Sequence, residues 1–331
     1  MMEFFRTLVD IQKPAFEINY NSKLMFLGSC FTENIGNKFA DLFFDFDINP
    51  FGILYNPKSI FNSLNILLKK DFLTDENLIF YNESWFSFFH NSKFSNTNKT
   101  DCLQNINSRI EKSSDFLKQT DYLFLTFGTS FIYNLISNGQ TVSNCHKYPA
   151  KEFEKKQLTV ENIFDDYLNL IQNLKKHNPN IKIIFTVSPI RHWKDGAIEN
   201  QLSKSILFVA IHKILNQFNN VFYFPSYEIQ MDELRDYRFY SEDMLHPSQV
   251  AVNYIWKRFS ETYFSAESKL LISEIEKLNQ AKNHRPFNSK SDNYLSFLKS
   301  NIEKIEQLSK KNKNLKLDNL KNHFSELVDN L

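Results

Sequence analysis

Short apolar segments alternate with longer amphipathic segments along most of this chain. Strands separated by helices in this way are typical of an α/β domain with a mainly parallel sheet. In the longer segments, apolar residues recur at helical spacing and predict helices. The predicted strands are residues 23–27, 122–127, 182–187 and 221–224, and the predicted helices are residues 32–44, 57–69, 159–176, 199–218 and 248–259.

Two further segments have their own patterns. Residues 131–146 carry Ser-Asn-Gly-Gln between two extended runs, which predicts a hairpin that returns Asn144, Cys145 and His146 towards the end of the preceding strand. From residue 266 onward, Lys, Asn, Glu, Leu and Ser dominate with a broken helical period. We therefore expect a domain over residues 1–265 and a helical C-terminal extension over residues 266–331.

The spacing of glycine and histidine excludes several common sites. The six glycines are never closer than eight positions, so the glycine-rich dinucleotide and phosphate loops and the GxSxG nucleophile elbow are absent in their usual forms. No two of the eight histidines lie within five residues, which excludes HExxH and finger-like metal motifs. We expect neither a cofactor nor a locally encoded metal site.

Charge and cysteine content bear on partners and compartment. Lys and Arg number 39 against 38 Asp and Glu, a net charge of +1, so the chain offers no bulk attraction to nucleic acid or anionic lipid. The three cysteines are widely spaced and suggest no disulfide framework. The N-terminus has an acidic third residue and no long apolar region. We expect a cytoplasmic protein without a membrane span, and the oligomeric state stays open.

The first motif with chemical potential is Gly28-Ser29-Cys30, where a predicted strand ends and a helix begins. A nucleophile at a helix N-terminus meets free N–H groups and the positive end of the helix dipole, which favour a thiolate or an oxyanion. Taken alone, the motif favours the simpler interpretation of a helix cap beside a buried cysteine, because Ser caps and buried Cys are both common.

The second motif is Asp243-Met244-Leu245-His246, just before the last helix of the domain. An Asp three residues before a His can place its carboxylate on imidazole Nδ1 and leave Nε2 free as a base. The alternative is a surface Asp in a capping loop. The motif is weak by itself, but it gains weight from Gly-Ser-Cys after the first strand.

Six sequences, GSCFTENIG, NPFGILYNP, GTSFIY, NCHK, SPIRHWKDG and DMLHPS, occur in this order. Together they resemble the GSCFA-domain family, which is similar to the SGNH or GDSL-like hydrolases, over roughly residues 4–290. The resemblance implies a three-layer α/β/α, flavodoxin-like fold and chemistry on acyl esters. It also implies a nucleophile in the first block and a His-Asp pair in the last.

The resemblance places catalytic roles on particular residues. A gapless match to the Gly-Asp-Ser block puts Cys30 on the nucleophile, with His246 as base and Asp243 as the residue that orients it. A Cys-His pair is chemically sound, since a helix N-terminus and an imidazole both favour the thiolate. If the loop shifts by one residue, Ser29 attacks instead.

The oxyanion hole follows by the same carry-over. Gly52 matches the glycine that donates its N–H, and Ser130 stands where the superfamily has Asn. One lost donor costs about 3 kcal/mol of transition-state stabilisation, so Asn144 or another donor would have to compensate. Arg191 and His192 follow a predicted strand, so we expect them to bind a polar or anionic part of the substrate, with Asn144 and His146 from the hairpin. The alternative for Arg191 is an ion pair with an acidic residue across the loop.

Two functions compete. The first is an ester or thioester hydrolase, or an acyltransferase, that forms an acyl-enzyme with an acylated small molecule or glycan. The second is a non-catalytic module that keeps the cleft to bind a glycan or acyl ligand. Cys in place of Ser and Ser in place of Asn favour the binding module, whereas Asp243 together with His246 favours the enzyme.

Overall fold

The structure, a computed structural model, describes residues 6–330. Residues 1–5, which contribute to the signal-peptide argument, lie outside the described residues. The strands are β1 Lys23–Gly28, β2 Asp45–Ile48, β3 Ile79–Tyr81, β4 Ser84–Phe86, β5 Tyr122–Phe127, β6 Phe131–Leu135, β7 Thr141–Val142, β8 Phe153–Gln157, β9 Lys182–Val187 and β10 Val221–Tyr223. The helices are α1 Cys30–Asp41, α2 Pro57–Lys69, α3 Lys99–Leu117, α4 Val160–His177, α5 Ala197–Leu215, α6 Ser226–Glu228, α7 Gln249–Tyr263, α8 Ala266–Lys282, α9 Asp292–Lys311 and α10 Asp318–Asp329.

The main sheet contains five strands in the order β10-β9-β5-β1-β2. Strand β5 pairs in parallel with β1 on one side and with β9 on the other, and β9 pairs in parallel with β10. All six residues of β5 are buried, as expected for a central strand covered on both faces. The predicted α/β fold with a mainly parallel sheet is confirmed.

Alternate residues of the sheet enter different layers. Leu123, Leu125 and Phe127 of β5 join a core that also contains buried residues of α2, α3, α4 and α5. Phe26 and Phe124 point to the opposite face, where their rings stack with centroids 4.8 Å apart and are buried. Because apolar side chains are buried on both faces of the sheet, the architecture is the predicted three-layer α/β/α arrangement.

The predicted hairpin forms at the C-terminal end of β5. Strand β6 pairs antiparallel with β7, with Tyr133 opposite Val142, and on its other edge with β8. The turn contains Gly139 at φ +72°. This three-stranded sheet places Asn144 and Cys145 beside the carboxyl end of the main sheet, where ligands of open α/β folds bind.

The chain forms two compact units. One contains residues 1–12, 23–36 and 46–258, and the other contains residues 13–22, 37–45 and 259–331. The second unit includes α8, α9 and α10, so the helical C-terminal extension that the composition predicts is present. Within residues 6–330, none of the helices has the length and apolar character that a membrane span requires.

Candidate active site

Cys30 is the first residue of α1, and only Ser29 separates it from the end of β1. The turn is held by its neighbours, because the Gly28 N–H donates to Asn49 Oδ1 at 2.9 Å and the Gly28 carbonyl accepts from the Leu54 N–H at 3.0 Å. The backbone N–H groups of Cys30 and Phe31 lie close enough to the Cys30 sulfur to stabilise its thiolate. The first motif therefore folds as a strand-to-helix turn with a thiol at the helix N-terminus.

Asp243 and His246 form a tight pair on the loop before α7. His246 Nδ1 lies 2.5 Å from Asp243 Oδ2, while the N–H groups of Leu245 and His246 both donate to Asp243 Oδ1 at 2.9 Å. Met244 adopts a left-handed backbone with φ 57° within this loop. These hydrogen bonds, first among them the two from the backbone, lower the pKa of the Asp243 carboxyl to about 2. The carboxylate is therefore ionised at neutral pH and fixes the His246 tautomer.

The two motifs meet although 216 positions separate them. Cys30 Sγ lies 3.9 Å from His246 Nε2, a loose contact of the kind that is common before substrate binds. A thiol, an imidazole and a carboxylate thus stand in the geometric order of a catalytic triad. This is the arrangement that the sequence predicts for Cys30.

The electrostatic surroundings keep the thiol protonated in the unliganded protein. Burial raises the pKa of Cys30, and the charge of Glu33 acts in the same direction. The N–H groups of Cys30 and Phe31 and the Lys204 ammonium oppose this rise. The structure thus differs from the expectation of a preformed thiolate, since the desolvation of the sulfur outweighs the helix N-terminus.

Cys30 opens into a cavity of about 490 Å³, which we call the thiol cleft. Backbone from the carboxyl end of the main sheet and from the hairpin forms its walls. Its lining includes Ser29, Cys30, Tyr55, Asn56, Thr129, Asn144, Cys145, Ser188, Arg191, His192, Trp193 and His246.

Ser29 also lines the thiol cleft, but its surroundings differ from those of Cys30. Its side chain is 1% exposed, and its hydroxyl has no hydrogen-bond partner. The sulfur of Cys30 contacts His246 Nε2, whereas the Ser29 hydroxyl makes no hydrogen bond to any described residue. The geometry therefore favours the gapless alignment over the one shifted by a residue.

The two residues expected in the oxyanion hole are engaged elsewhere. Gly52 is buried in a turn where its N–H donates to the Asn49 carbonyl at 2.7 Å, and a Cβ there would lie 2.2 Å from Asn91 Cβ. Ser130 is fully buried, and its hydroxyl is 3.1 Å from Ser203 Oγ. Neither residue lines the thiol cleft. We therefore withdraw both assignments, because the turn at residues 49–52 and the Ser203 contact direct these donors away from the sulfur.

Three of the four expected substrate-binding residues reach the thiol cleft, namely Asn144, Arg191 and His192. His146 does not, because its Nε2 lies 2.9 Å from the His90 carbonyl and 3.1 Å from the Ser87 carbonyl. Its ring also stacks on Phe86 with centroids 4.1 Å apart. The role of His146 is therefore to anchor the end of the hairpin.

The environments of His192 and Arg191 restrict what they can do. Burial, followed by the Lys204 charge, lowers the pKa of His192 to about 4, so the ring is neutral at physiological pH. Arg191 stacks over the Trp193 ring at 5.0 Å from its centroid, and its buried Nε has no hydrogen-bond partner. The cleft thus offers a neutral imidazole and a guanidinium with a free donor.

Two asparagines, Asn56 and Asn144, bring carboxamide side chains to the thiol cleft. Asn56 caps α2, with its Oδ1 accepting the Ser59 N–H at 2.8 Å, and Asn144 Oδ1 accepts the His146 N–H at 2.8 Å. Because a backbone N–H fixes the oxygen of each carboxamide, each NH₂ group remains free to donate. Asn56 could have been found from the sequence, since Asn before Pro marks a helix start.

Lys204 lies beneath the thiol cleft, and the sequence did not lead us to expect it there. Its side chain is fully buried in α5, and Nζ donates to the Ser188 carbonyl at 2.7 Å. Burial, then the Arg191 charge, lowers the pKa of Lys204 to about 7. The available signal was a lysine in register with the apolar residues Leu207, Ile211 and Ile214 of the same helix. Within residues 6–330, no cluster of three His, Cys, Asp or Glu side chains is arranged to hold a metal ion.

Two family models match successive parts of the chain. Residues 23–259 match the GSCFA family, and residues 275–330 match the GSCFA domain protein C-terminal domain. No curated protein sequence matches the chain.

Several solved structures are distantly similar. An acetyl xylan esterase from Butyrivibrio proteoclasticus is 13% identical at a TM-score of 0.38, and the match covers 74% of this chain but only 64% of that esterase. The family 3 carbohydrate esterase of Clostridium thermocellum is 12% identical at 0.34, with 78% and 98% of the two chains covered. A family 3 carbohydrate esterase from Talaromyces cellulolyticus is 11% identical at 0.34, with 77% and 99% covered.

Proposed function

The chain belongs to the GSCFA family, and from the geometry of the thiol cleft we propose that it is an acyl-processing enzyme with Cys30 as its nucleophile. The substrate is an ester or thioester of a small molecule or glycan. The observation that carries this proposal is the continuous contact from Cys30 Sγ to His246 Nε2 and from His246 Nδ1 to Asp243.

In the first step, Cys30 Sγ attacks the carbonyl carbon of the substrate and an S–C bond forms. The raised pKa of the thiol means that its proton leaves during the attack, and His246 Nε2 accepts it. Asp243 remains ionised and stabilises the imidazolium. The carbonyl oxygen then carries the negative charge of the tetrahedral intermediate.

That oxyanion requires donors, and three groups support the role. The N–H groups of Cys30 and Phe31 already face the sulfur, and the free carboxamide NH₂ of Asn56 lines the same cleft. Preorganised donors of this kind stabilise the transition state more than they stabilise the substrate. We assign the oxyanion hole to these three groups.

Collapse of the intermediate breaks the bond to the leaving alcohol or thiol, which takes the proton from His246. The product is an acyl thioester on Cys30. Water, or an acceptor alcohol, amine or thiol, then attacks this thioester while His246 again accepts the proton. A carboxylic acid or a transferred acyl group leaves, and the free thiol is restored.

The test is mass measurement of the intact protein after brief exposure to short acyl ester and thioester donors. We expect one acyl adduct on wild type, no adduct on Cys30→Ala, and a normal adduct on Ser29→Ala. His246→Ala should lose the adduct as completely as Cys30→Ala, because members of a triad act as a unit.

Two other outcomes of this mass measurement would contradict the proposal. Loss of the adduct in Ser29→Ala but not in Cys30→Ala would transfer the nucleophile to Ser29. If wild type forms no adduct and turns over no donor, yet binds glycans or acyl ligands, the chain is a binding module. The Cys102→Ala variant is the matched control, because that buried thiol lies outside the thiol cleft.

A further inference from the structure

A second cavity adjoins the thiol cleft. Its volume is about 520 Å³, and we call it the outer pocket. It lies between the loop after β9 and the segment that leads to the Asp243–His246 pair. Its lining includes Arg191, Trp193, Arg235, Tyr237, Tyr240 and Met244.

The two cavities share one wall. Arg191 and Trp193 line both of them, and Asp243 of the proposed triad lines the outer pocket. A substrate whose acyl group reaches Cys30 can therefore extend past Arg191 and Trp193 into the outer pocket. Because the cavities share these two residues, the outer pocket is placed to hold the part of the substrate that does not react.

The aromatic rings of the outer pocket are exposed, and the backbone turns that carry them are fixed by polar contacts. Trp193 and Tyr237 each begin a single turn of 3-10 helix, and they are 48% and 73% exposed. Asp195, in the turn of Trp193, pairs with Lys155 at 2.5 Å, and Asp236 caps the turn of Tyr237 by accepting the Arg238 N–H. Tyr237 thus offers its ring to a ligand from a fixed backbone, and Trp193 offers the ring face that Arg191 does not cover.

Unused hydrogen-bond donors accompany these rings. Arg191 has a buried Nε without a partner. Arg235 donates through Nε to the Met231 carbonyl and through Nη2 to Asp232, which leaves Nη1 available among the described residues. A ligand that fills the outer pocket must therefore bring oxygen acceptors, since a buried donor without an acceptor costs free energy.

Exposed aromatic rings next to guanidinium donors suit a ligand with an apolar face and a rim of oxygens. A sugar ring has this form, because its C–H groups cover one face and its hydroxyl groups project around the edge. A hydrocarbon chain would cover the rings but leave the donors of Arg191 and Arg235 unpaired. A small polar ion would satisfy the donors but leave the rings exposed to water.

We propose that the outer pocket is a carbohydrate subsite, in which Trp193 and Tyr237 stack on a sugar ring while Arg191 and Arg235 donate to its oxygens. This inference rests on the proposed function, because that function orients the substrate with its acyl group towards Cys30 and its sugar in the outer pocket. It narrows the substrate to an acylated glycan or glycoside.

The first experiment measures binding without chemistry. Titration calorimetry of the full chain with cellobiose, xylobiose, chitobiose and maltose should show millimolar or tighter binding of at least one. Tyr237→Ala and Trp193→Ala should each weaken that binding about tenfold. Phe80→Ala is the control, because this ring is also exposed but lines neither cavity, and it should leave the affinity unchanged.

The second experiment links binding to turnover. Wild type should prefer an acetylated disaccharide over ethyl acetate in kcat/KM, and Tyr237→Ala should reduce that preference about tenfold. Absence of binding by all four disaccharides overturns the subsite, as does binding of decanoate alone. Disaccharide binding without any ester turnover would support the carbohydrate subsite and contradict the proposed enzymatic function. Ester turnover with an unchanged preference in Tyr237→Ala would support the enzymatic function and contradict the subsite.

Discussion

The two sides of the thiol cleft differ in how they are encoded. On the proposed nucleophile side, Asp243 and His246 are three residues apart, and backbone N–H groups of the same loop hold the carboxylate. On the proposed oxyanion side, Asn56 takes its orientation from the start of α2, and Gly52 and Ser130 are engaged elsewhere. A short sequence segment determines the geometry of the Asp243–His246 pair, whereas the direction of an oxyanion donor depends on how a whole loop is oriented.

The largest effect should come from breaking the nucleophile side. Asp243→Asn should lower kcat on the best acyl donor on the order of 10³–10⁴-fold, because an amide cannot stabilise the imidazolium or hold the same His246 tautomer. Glu242→Gln removes the neighbouring exposed carboxylate and should have no comparable effect. Initial-rate kinetics on both variants measure this, and equal losses would mean that Asp243 acts only through surface charge.

A smaller effect should come from the oxyanion side. Asn56→Ser keeps a side chain that caps α2 but removes the carboxamide donor, so kcat should fall about 100-fold while KM changes little. Ser130→Ala should leave kcat within a factor of about two, since the hydroxyl faces Ser203. The reverse ranking in steady-state kinetics would return the oxyanion role to Ser130.

The smallest effect on chemistry should come from Gly52. Gly52→Ala should lower the free energy of unfolding by about 2 kcal/mol or more, because φ is +79° and the new methyl group meets Asn91. Gly139→Ala shares a positive φ but meets no atom within 4 Å, and should cost about 1 kcal/mol. Urea denaturation measures both values. A large loss of kcat in folded Gly52→Ala protein would restore Gly52 to the oxyanion hole.

Elements with a strong local pattern could be predicted from the sequence. Two strands, Tyr122–Phe127 and Lys182–Val187, and the helix Pro57–Lys69 have the predicted bounds, because apolar runs and the Asn-Pro start determine them locally. The helix Lys99–Leu117 was not predicted. Its 19 residues include six buried ones among many Asn, Ser and Asp side chains, so packing against its neighbours stabilises it more than its own pattern does.

Site residues follow the same rule. The hairpin pattern predicts that Asn144 and His146 return to the end of β5, and the chain does so. It does not predict which side chain enters the cleft, because the carbonyls of Ser87 and His90 determine the orientation of His146. Lys204 lies in a helix that was predicted, but its burial under the cleft depends on how α5 packs on the sheet.

The distance along the chain between Cys30 and His246 has a consequence for biosynthesis. Because 216 positions separate them, the ribosome makes the thiol roughly 10 to 40 s before its base, at about 5–20 residues per second. Asp243 and His246 emerge together and need only a local turn to pair. A nascent or prematurely terminated chain therefore carries the thiol without the imidazole, and under the proposed mechanism it forms an acyl-enzyme only after residue 246 has left the ribosome.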